Sequence, residues 1–289
     1  LGTSTGTAAT VNNALGAALQ LAGVTLARNI ALNSTGLNYN GALEAFSGAN
    51  IVSGTVFLSS NTAIGADAGA ALILSGSITG GVALTLSGAG TLTLSGTIAA
   101  AIPTGITSIA TGSVGLISGV STYTNALTVN AGTFALSGAG SLGSTGLITV
   151  QPGATLLLDN SASNQPRLGG RPLSLGGNLA FTGTTGSTSL ETLSGALSPL
   201  SGNAVLTLTA GAGGQTNLVV GTMGTPATGA SVLLRGSNLG NAAGPDTATF
   251  MVSTTAPSFL GLPNAIGVTG TPGKGILPWA LIDASATGL

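Results

Sequence analysis

The chain has 289 residues, and its composition excludes several classes of protein. Charged residues make up only 4% of it: five Lys+Arg and six Asp+Glu, with no His and no Cys, for a formal net charge of −1. Nucleic-acid binding requires clustered Lys and Arg, and disulfides or thiolate metal sites require Cys. We therefore expect no nucleic-acid partner and no site of either kind.

The apolar content is high enough for a folded core. Hydrophobic residues make up 43% of the chain and its mean hydropathy is +0.59, whereas disordered chains are poor in aliphatic residues and rich in charge. Gly, Ser, Thr or Asn interrupts every apolar run well short of the about 20 residues that cross a membrane as a helix. We predict a folded chain without a membrane span. It starts at Leu1 without a visible signal peptide, which indicates a processed product or a segment of something longer.

In chain order, about residues 1–23 are predicted to form an N-terminal cap or interface, within which residues 14–22 could form at most two helical turns. Short alternating segments of three to five residues follow, rich in Leu and β-branched residues and ended by turn residues such as Ser-Gly or Pro-Gly. This alternation predicts strands with Leu, Ile and Val facing inward and Thr or Ser outward. The segments are residues 71–74, 82–86, 91–94, 126–129, 133–136, 147–150 and 155–158.

The spacing of these strands distinguishes a coil from a series of hairpins. Leu72 and Leu92 are 20 residues apart, Leu127 and Ile148 are 21 apart, and Phe134 and Leu156 are 22 apart. Such a period is expected where each turn lies on the turn below. We predict one all-β domain over residues 1–289, a right-handed parallel β-helix (β-solenoid) of about 13 turns and about 60 Å. About residues 253–289 are predicted to be an irregular or interface segment.

Glycine is predicted to form the corners of the coil. The tripeptide Leu-Ser-Gly ends several strands, and only Gly and Asn adopt positive φ at low cost. The glycines of this motif are Gly76, Gly88, Gly96 and Gly138.

One charged constellation is a candidate interaction site. Asp159, Arg167 and Arg171 fall within a dozen residues and could form a bidentate ion pair that clips a loop onto the stack. Docking of a neighbouring subunit and binding of an anionic glycan are the alternative interpretations.

The aromatic residues are few. Phe57, Phe134, Phe181 and Phe250 lie within strand patterns and are predicted to be core residues. Trp279 follows Pro278 near the end of the sequence and is a candidate either to cap the last turn or to bury itself in a second copy.

Several passages resemble the autotransporter-associated β-strand repeat proteins: residues 91–96 (TLTLSG), 126–132 (ALTVNAG), 138–146 (GAGSLGSTG), 147–159 (LITVQPGATLLLD), 159–161 with 167–171, and 275–279 (GILPW). The resemblance extends from about Leu21 to the end. It implies a right-handed parallel β-helix exported to the bacterial surface or the extracellular space. The membrane barrel that anchors members of this family is missing from the sequence, so the resemblance implies passenger-type material.

The sequence offers little for catalysis. The acids Glu44, Asp67, Asp159, Glu191, Asp246 and Asp283 are scattered, and without His the usual base near neutral pH is missing. A hydrolase with paired carboxyls needs them about 5–9.5 Å apart, which only Glu44 and Asp67, 23 residues apart, could reach on adjacent turns. We therefore predict no enzyme activity, no cofactor and no metal site. A polysaccharide-degrading β-helix enzyme remains the less favoured alternative.

The predicted function is that of an extracellular structural protein. A solenoid has two ends with unpaired backbone groups, and the sequence offers few charged residues to keep copies apart. We expect head-to-tail self-association into filaments. A monomeric cell-surface adhesin that binds glycans or cells is the alternative.

Overall fold

The computed structural model describes residues 9–11, 17–99, 105–117, 123–255 and 277–287. These ranges hold short β-strands and one three-residue 3-10 turn, Leu37–Tyr39; no helix in them is of a length and apolarity to cross a membrane. The strands are β1 (Ala9–Val11), β2 (Leu19–Ala22), β3 (Thr25–Leu26), β4 (Ile30–Leu32), β5 (Leu43–Ser47), β6 (Ala49–Val52), β7 (Val56–Leu58), β8 (Thr62–Ala66), β9 (Ala71–Leu74), β10 (Ile78–Gly80), β11 (Leu84–Ser87), β12 (Thr91–Leu94), β13 (Ile106–Ser108), β14 (Ser113–Leu116), β15 (Leu127–Val129), β16 (Thr133–Leu136), β17 (Ile148–Val150), β18 (Thr155–Asp159), β19 (Leu173–Leu175), β20 (Asn178–Thr182), β21 (Thr188–Pro199), β22 (Gly202–Thr209), β23 (Gln215–Met223), β24 (Ala230–Gly236), β25 (Thr247–Thr255) and β26 (Ala280–Asp283).

The strands form three parallel sheets, in which each strand pairs with the strands one turn before and after it. Sheet 1 has the order β1-β4-β7-β10, and it lines only the N-terminal turns. Sheet 2 has the order β2-β5-β8-β11-β13-β15-β17-β19-β21-β23-β25. Sheet 3 has the order β3-β6-β9-β12-β14-β16-β18-β20-β22-β24-β26. The protein is therefore an all-β parallel β-solenoid, as the sequence predicts.

The register confirms the period read from the sequence. Leu72 pairs with Leu92, Leu127 with Ile148, and Phe134 with Leu156. The alternation is also confirmed: Leu127 and Val129 are buried in the core, and Thr128 between them faces outward. Stacked aliphatic side chains thus fill the tube, one layer for each turn.

The predicted number of about 13 turns is too high. Within the described residues, each of the two long sheets holds eleven strands. The reason is that the turns lengthen along the chain: β9 and β12 are offset by 20 residues, β20 and β22 by 27, and β23 and β25 by 32. Eleven strands about 4.8 Å apart extend about 50 Å, less than the predicted length.

The terminal segments also differ from the sequence prediction. Leu19–Ala22 is a strand rather than a helix, with Leu21 in the core and the Leu19 amide bonded to the Ala42 carbonyl at 2.7 Å. Residues 14–16 lie outside the described part of the chain. In the C-terminal segment, β25 and β26 are paired strands, and residues 256–276 lie outside the described part.

The core aromatic residues are partly as predicted. Phe134 and Phe181 are buried and Phe250 is half-buried. The prediction for Phe57 is wrong: its side chain is 42% exposed, because Val56 and Leu58 on either side of it take the inward positions of β7.

Glycine ends the strands for two different reasons. Gly88 and Gly138 have φ of 94° and 54°, as the corner interpretation predicts. Gly76 and Gly96 do not have positive φ. Their turns stack so closely that a Cβ at Gly96 would clash with the Gly76 carbonyl, and a Cβ at Gly76 with the Gly54 carbonyl. At these two corners glycine is needed for space.

Candidate functional site

A loop of residues 160–172 lies where the solenoid widens. β21 is 12 residues long, but β19 pairs only with its last part, from Leu197 to Pro199. The first part of β21 pairs with β23 on one side. On its other side lies the loop, where the Asn164 side-chain amide donates to the Thr188 carbonyl at 2.9 Å. The loop therefore occupies the place of a strand below the first half of β21.

Arg167 holds this loop from inside. Its side chain is fully buried, and all five N–H donors of its guanidinium have acceptors. Nε donates to Asn160 Oδ1 at 2.6 Å. The other donors bind backbone carbonyls, at Gly138, Gly140, Asp159 and Ser163. Because two of these carbonyls belong to the preceding turn, Arg167 ties the loop to the stack.

Arg171 makes a second attachment to earlier turns. Its Nε donates to the Gly143 carbonyl at 2.6 Å and its Nη1 to the Asn125 carbonyl at 2.7 Å. Nη2 donates to the Tyr123 carbonyl, and the guanidinium lies 5.4 Å from the centre of the Tyr123 ring. Burial raises the pKa of the Tyr123 hydroxyl to about 12. We call Arg167, Arg171 and the loop the arginine clip.

Asp159 contributes to the clip in a different way from the predicted ion pair. Its carbonyl accepts from Arg167, and its carboxylate accepts from the Ser161 amide at 2.9 Å. Among the described residues the ion pair is elsewhere, between Arg235 Nε and Asp283 Oδ2 at 3.1 Å. The predicted ion pair is not formed: Asp159 contacts Arg167 through its main-chain carbonyl, and main-chain carbonyls of other residues hold both arginines.

Glu191 is a member of the site that the sequence interpretation missed. It faces inward from β21 and is fully buried. Its carboxyl oxygens accept from the Arg167 amide at 2.6 Å and the Leu168 amide at 3.1 Å. Burial raises its pKa to about 7, although these bonds and the Arg167 charge act in the opposite direction. The alternation of the strand could have identified it. Glu191 precedes the inward-facing Leu193 by two residues, and residues two apart in a strand face the same side.

Glu44 and Asp67, the candidate carboxyl pair, do come together. Glu44 on β5 pairs with Gly65 on β8, and Asp67 follows that strand. Burial, and then the charge and hydrogen bonding of Glu44, raise the pKa of Asp67. Glu44 is only 2% exposed, and its Oε2 accepts from Gln20 Nε2 at 2.8 Å. So little of Glu44 reaches the surface that a substrate has poor access to the pair.

An open groove of about 430 Å³ runs between the clip loop and the outer side of β21. Several polar groups along it are already bonded within the chain: Gln165 Nε2 donates to the Gly138 carbonyl and Ser194 Oγ to the Gly170 carbonyl. Thr188 and Thr192 project from β21 with exposed side chains. The groove offers hydroxyl groups to a ligand and, within the described residues, no group of three or more acids for a metal ion.

The C-terminal end of the core forms a different kind of surface. In sheet 3, Leu179, Leu206, Leu234 and Ile282 pair in succession and form one inward column. The exposed fraction of the side chain is 0% at Leu179 and Leu206, 8% at Leu234 and 72% at Ile282. Beside Ile282 lies an apolar hollow of about 330 Å³. Trp279 lies at this end, half-buried against the core, and its carbonyl accepts from the Val232 amide at 2.8 Å. We call this surface the open end.

No protein-family model matches the chain, and neither the curated proteins nor the solved structures contain a match. The resemblance to autotransporter-associated repeat proteins therefore stays a prediction.

Proposed function

We propose that this protein is an extracellular structural protein whose copies associate head to tail into filaments. The open end of one copy docks on the N-terminal turn of the next, so that β25 and β26 lie beside β2 and β3 of the neighbour. The parallel sheets then continue from copy to copy. The contact is heterologous and therefore propagates.

The observation that carries the proposal is the exposure of the core column at Ile282. An inward side chain of a solenoid is normally covered by the next turn, and burial of an aliphatic side chain of this size contributes about 1.5–3 kcal/mol. Leu281, on the outer side of the same strand, is 67% exposed. At the other end, the strands β2 and β3 offer Leu19 and Leu26, which are partly buried against the core.

The charge distribution supports the same proposal. Lys, Glu and Asp on edge strands normally keep sheets from pairing with other molecules. On β26 the charged residue is Asp283, and Arg235 of the same chain pairs with it. With a net charge of −1, copies of the chain repel one another weakly.

The bacterial surface or extracellular location rests on the repeat motifs of the sequence. Residues 91–96, 126–132 and 147–159, which resemble the autotransporter-associated repeats, are strand-and-turn units of the stack. A rigid rod with few charged residues suits a structural role outside the cell.

The test is negative-stain electron microscopy of the purified 289-residue chain. We expect filaments for the unmodified chain and particles no longer than one copy for Ile282→Lys, which places a charge on the open end. The matched control is Leu190→Lys, at a side chain 45% exposed on the outer side of β21, two strands before β25 in sheet 2, and it should form filaments. A uniform population of single rods from the unmodified chain would contradict the proposal.

The groove beside the clip favours a second candidate, a monomeric adhesin that binds neutral glycans. Its exposed hydroxyl groups at Thr188 and Thr192 are of the type that bind sugars. This candidate predicts single rods that bind a glycan array, with binding lost in Thr192→Arg and retained in Thr128→Arg on sheet 2. Absence of glycan binding by the unmodified chain would exclude it.

A further inference from the structure

We propose that the outer face of sheet 3 is a lateral docking surface for the same face of a second copy. The surface lies along the side of the rod, away from the open end. Added to the proposed head-to-tail contact, on which this larger assembly rests, it pairs filaments side by side.

The face presents regular columns of uncharged side chains. Pairing of β12, β14, β16 and β18 aligns the outward hydroxyl residues Thr91, Ser113, Thr133 and Thr155. A second outward column on the same strands aligns Thr93, Gly115, Ala135 and Leu157. Toward the N-terminus this column continues to Ile73, which is 36% exposed. Small side chains and a few aliphatic ones keep the face flat enough for close approach of another sheet.

Charge does not oppose the contact over most of this face. The strands β6, β9, β12, β14 and β16 contain no charged residue. Asp159 stands at the margin of the face, where its carboxylate binds the Ser161 amide. At the C-terminal end, Arg235 and Asp283 neutralise each other.

The area is sufficient for a stable dimer. Seven strands from β6 to β20 extend about 29 Å along the rod at the spacing of a parallel sheet. The strands and the residues that follow them, such as Ile117 with 39% exposure, span about six residues or about 20 Å. Two such faces bury roughly 1,200 Å², at the lower end of the range of specific protein–protein interfaces.

The pitch and the charge of the face fit a second copy. Side chains recur once per turn, at about 4.8 Å, so two copies of the face stay in step along their whole length. From β6 to β16 neither copy places a charged strand residue opposite the other. From β13 to β17 the outer face of sheet 2 is narrower, with a single outward column of Thr107, Thr128 and Thr149, and this part of the face serves as the control surface.

The experiment measures the lateral contact without the end contact. In the full chain carrying Ile282→Lys, we expect dimers by sedimentation equilibrium. Adding Thr93→Lys and Ala135→Lys, two strands apart in sheet 3, should raise the dimer dissociation constant at least tenfold. Adding Thr107→Lys and Thr149→Lys instead, also two strands apart, should leave it unchanged. Dimers that persist in the sheet 3 variant, or dissociate equally in the sheet 2 variant, would overturn the proposal.

A second readout avoids the lysine substitutions. Because the chain has no Cys, Ala135→Cys and Thr128→Cys each introduce a single thiol. On raising the protein concentration, a thiol reagent should react more slowly with the residue at 135 and at an unchanged rate at 128. A reaction rate at position 135 that does not fall as the protein concentration rises would contradict the lateral contact.

Electron microscopy of the unmodified chain separates the two proposals. Filaments of single width would overturn the lateral proposal alone, whereas lateral dimers without filaments would overturn the head-to-tail proposal alone.

Discussion

Arg167 is stable inside the solenoid because the turns around it supply an acceptor for every N–H it carries. A buried charge is costly unless it is hydrogen-bonded throughout, and here one amide oxygen and four carbonyls accept from the guanidinium. The carbonyls of Gly138 and Gly140 lie in the turn after β16, outside the strands, and therefore take no part in the hydrogen bonding of the sheets. Arg167 therefore supplies hydrogen-bond donors to these carbonyls, and the carbonyls compensate the burial of its charge.

We expect Arg167→Met to destabilise the clip by about 3 kcal/mol or more, since it leaves several buried acceptors without donors. Arg167→Lys should restore little, because an ammonium offers three donors from one point. Hydrogen exchange of the amides in residues 160–172 measures the effect, and the amides of β12 and β14 are the internal reference. Protection in the loop equal to that of the unmodified chain would contradict this role.

Glu191 should make stability depend on pH. Its pKa rises from an ordinary 4.5 to about 7 on folding because of burial, so the folded chain binds this proton more tightly than the unfolded chain. The resulting stabilisation is complete below about pH 4.5 and is lost as the pH rises through 7. This rise of the pKa from 4.5 to about 7 corresponds to about 3 kcal/mol of stability.

Denaturant unfolding at several pH values between 4 and 8 tests this expectation. The unmodified chain should lose stability as the pH rises, and Glu191→Gln should flatten most of that slope. Asp67, whose pKa is also raised, contributes in the same direction in both proteins, so their difference isolates Glu191. A slope unchanged by the substitution would show that Glu191 stays ionised throughout.

At the scale of the strands, the loop of residues 36–41 lies against the outside of β8. Ser87 Oγ donates to the Asn40 carbonyl at 2.8 Å, and a Cβ at Gly65 would clash with that same carbonyl. We expect Gly65→Ala to destabilise the protein by about 1–3 kcal/mol through overpacking. Gly115→Ala is the matched control, because its Cβ has ordinary contacts at 3.7 Å and beyond. Thermal unfolding of the two variants measures the difference, and equal melting temperatures would contradict the close contact.

The regular turns could be predicted from the sequence and the irregular ones could not. A strand such as Leu127–Val129 shows its inward and outward residues directly, and a constant spacing fixes its partner Ile148. The widening at β21 has no such signal, since it depends on the loop of residues 160–172 folding into the place of a strand. For the same reason Asp159, Arg167 and Arg171 could be grouped from their spacing, whereas carbonyl partners 27 to 48 residues away in sequence could not be identified.

At the scale of the whole molecule, each turn is stabilised mainly by its neighbours. The stability of such a stack is approximately a sum of turn and nearest-neighbour terms, so a terminal turn lacks one of its two interfaces. Ile282 is much more exposed than Leu234 because no further turn of the described chain packs on its strand. Whatever covers Ile282 adds to the stability of the last turns.

Head-to-tail association should therefore make the thermal stability of the last turns depend on protein concentration, because mass action stabilises the associated state. We expect the midpoint of this transition, followed by the fluorescence of Trp279, to rise with each tenfold increase in concentration of the unmodified chain. Ile282→Lys should lower the midpoint and remove the dependence, since burial of a charge at the contact is costly. Leu190→Lys, on the outer side of β21 and away from the contact surface of the open end, should retain it. A midpoint that is independent of concentration in the unmodified chain would mean that the last turns are stable without a neighbour.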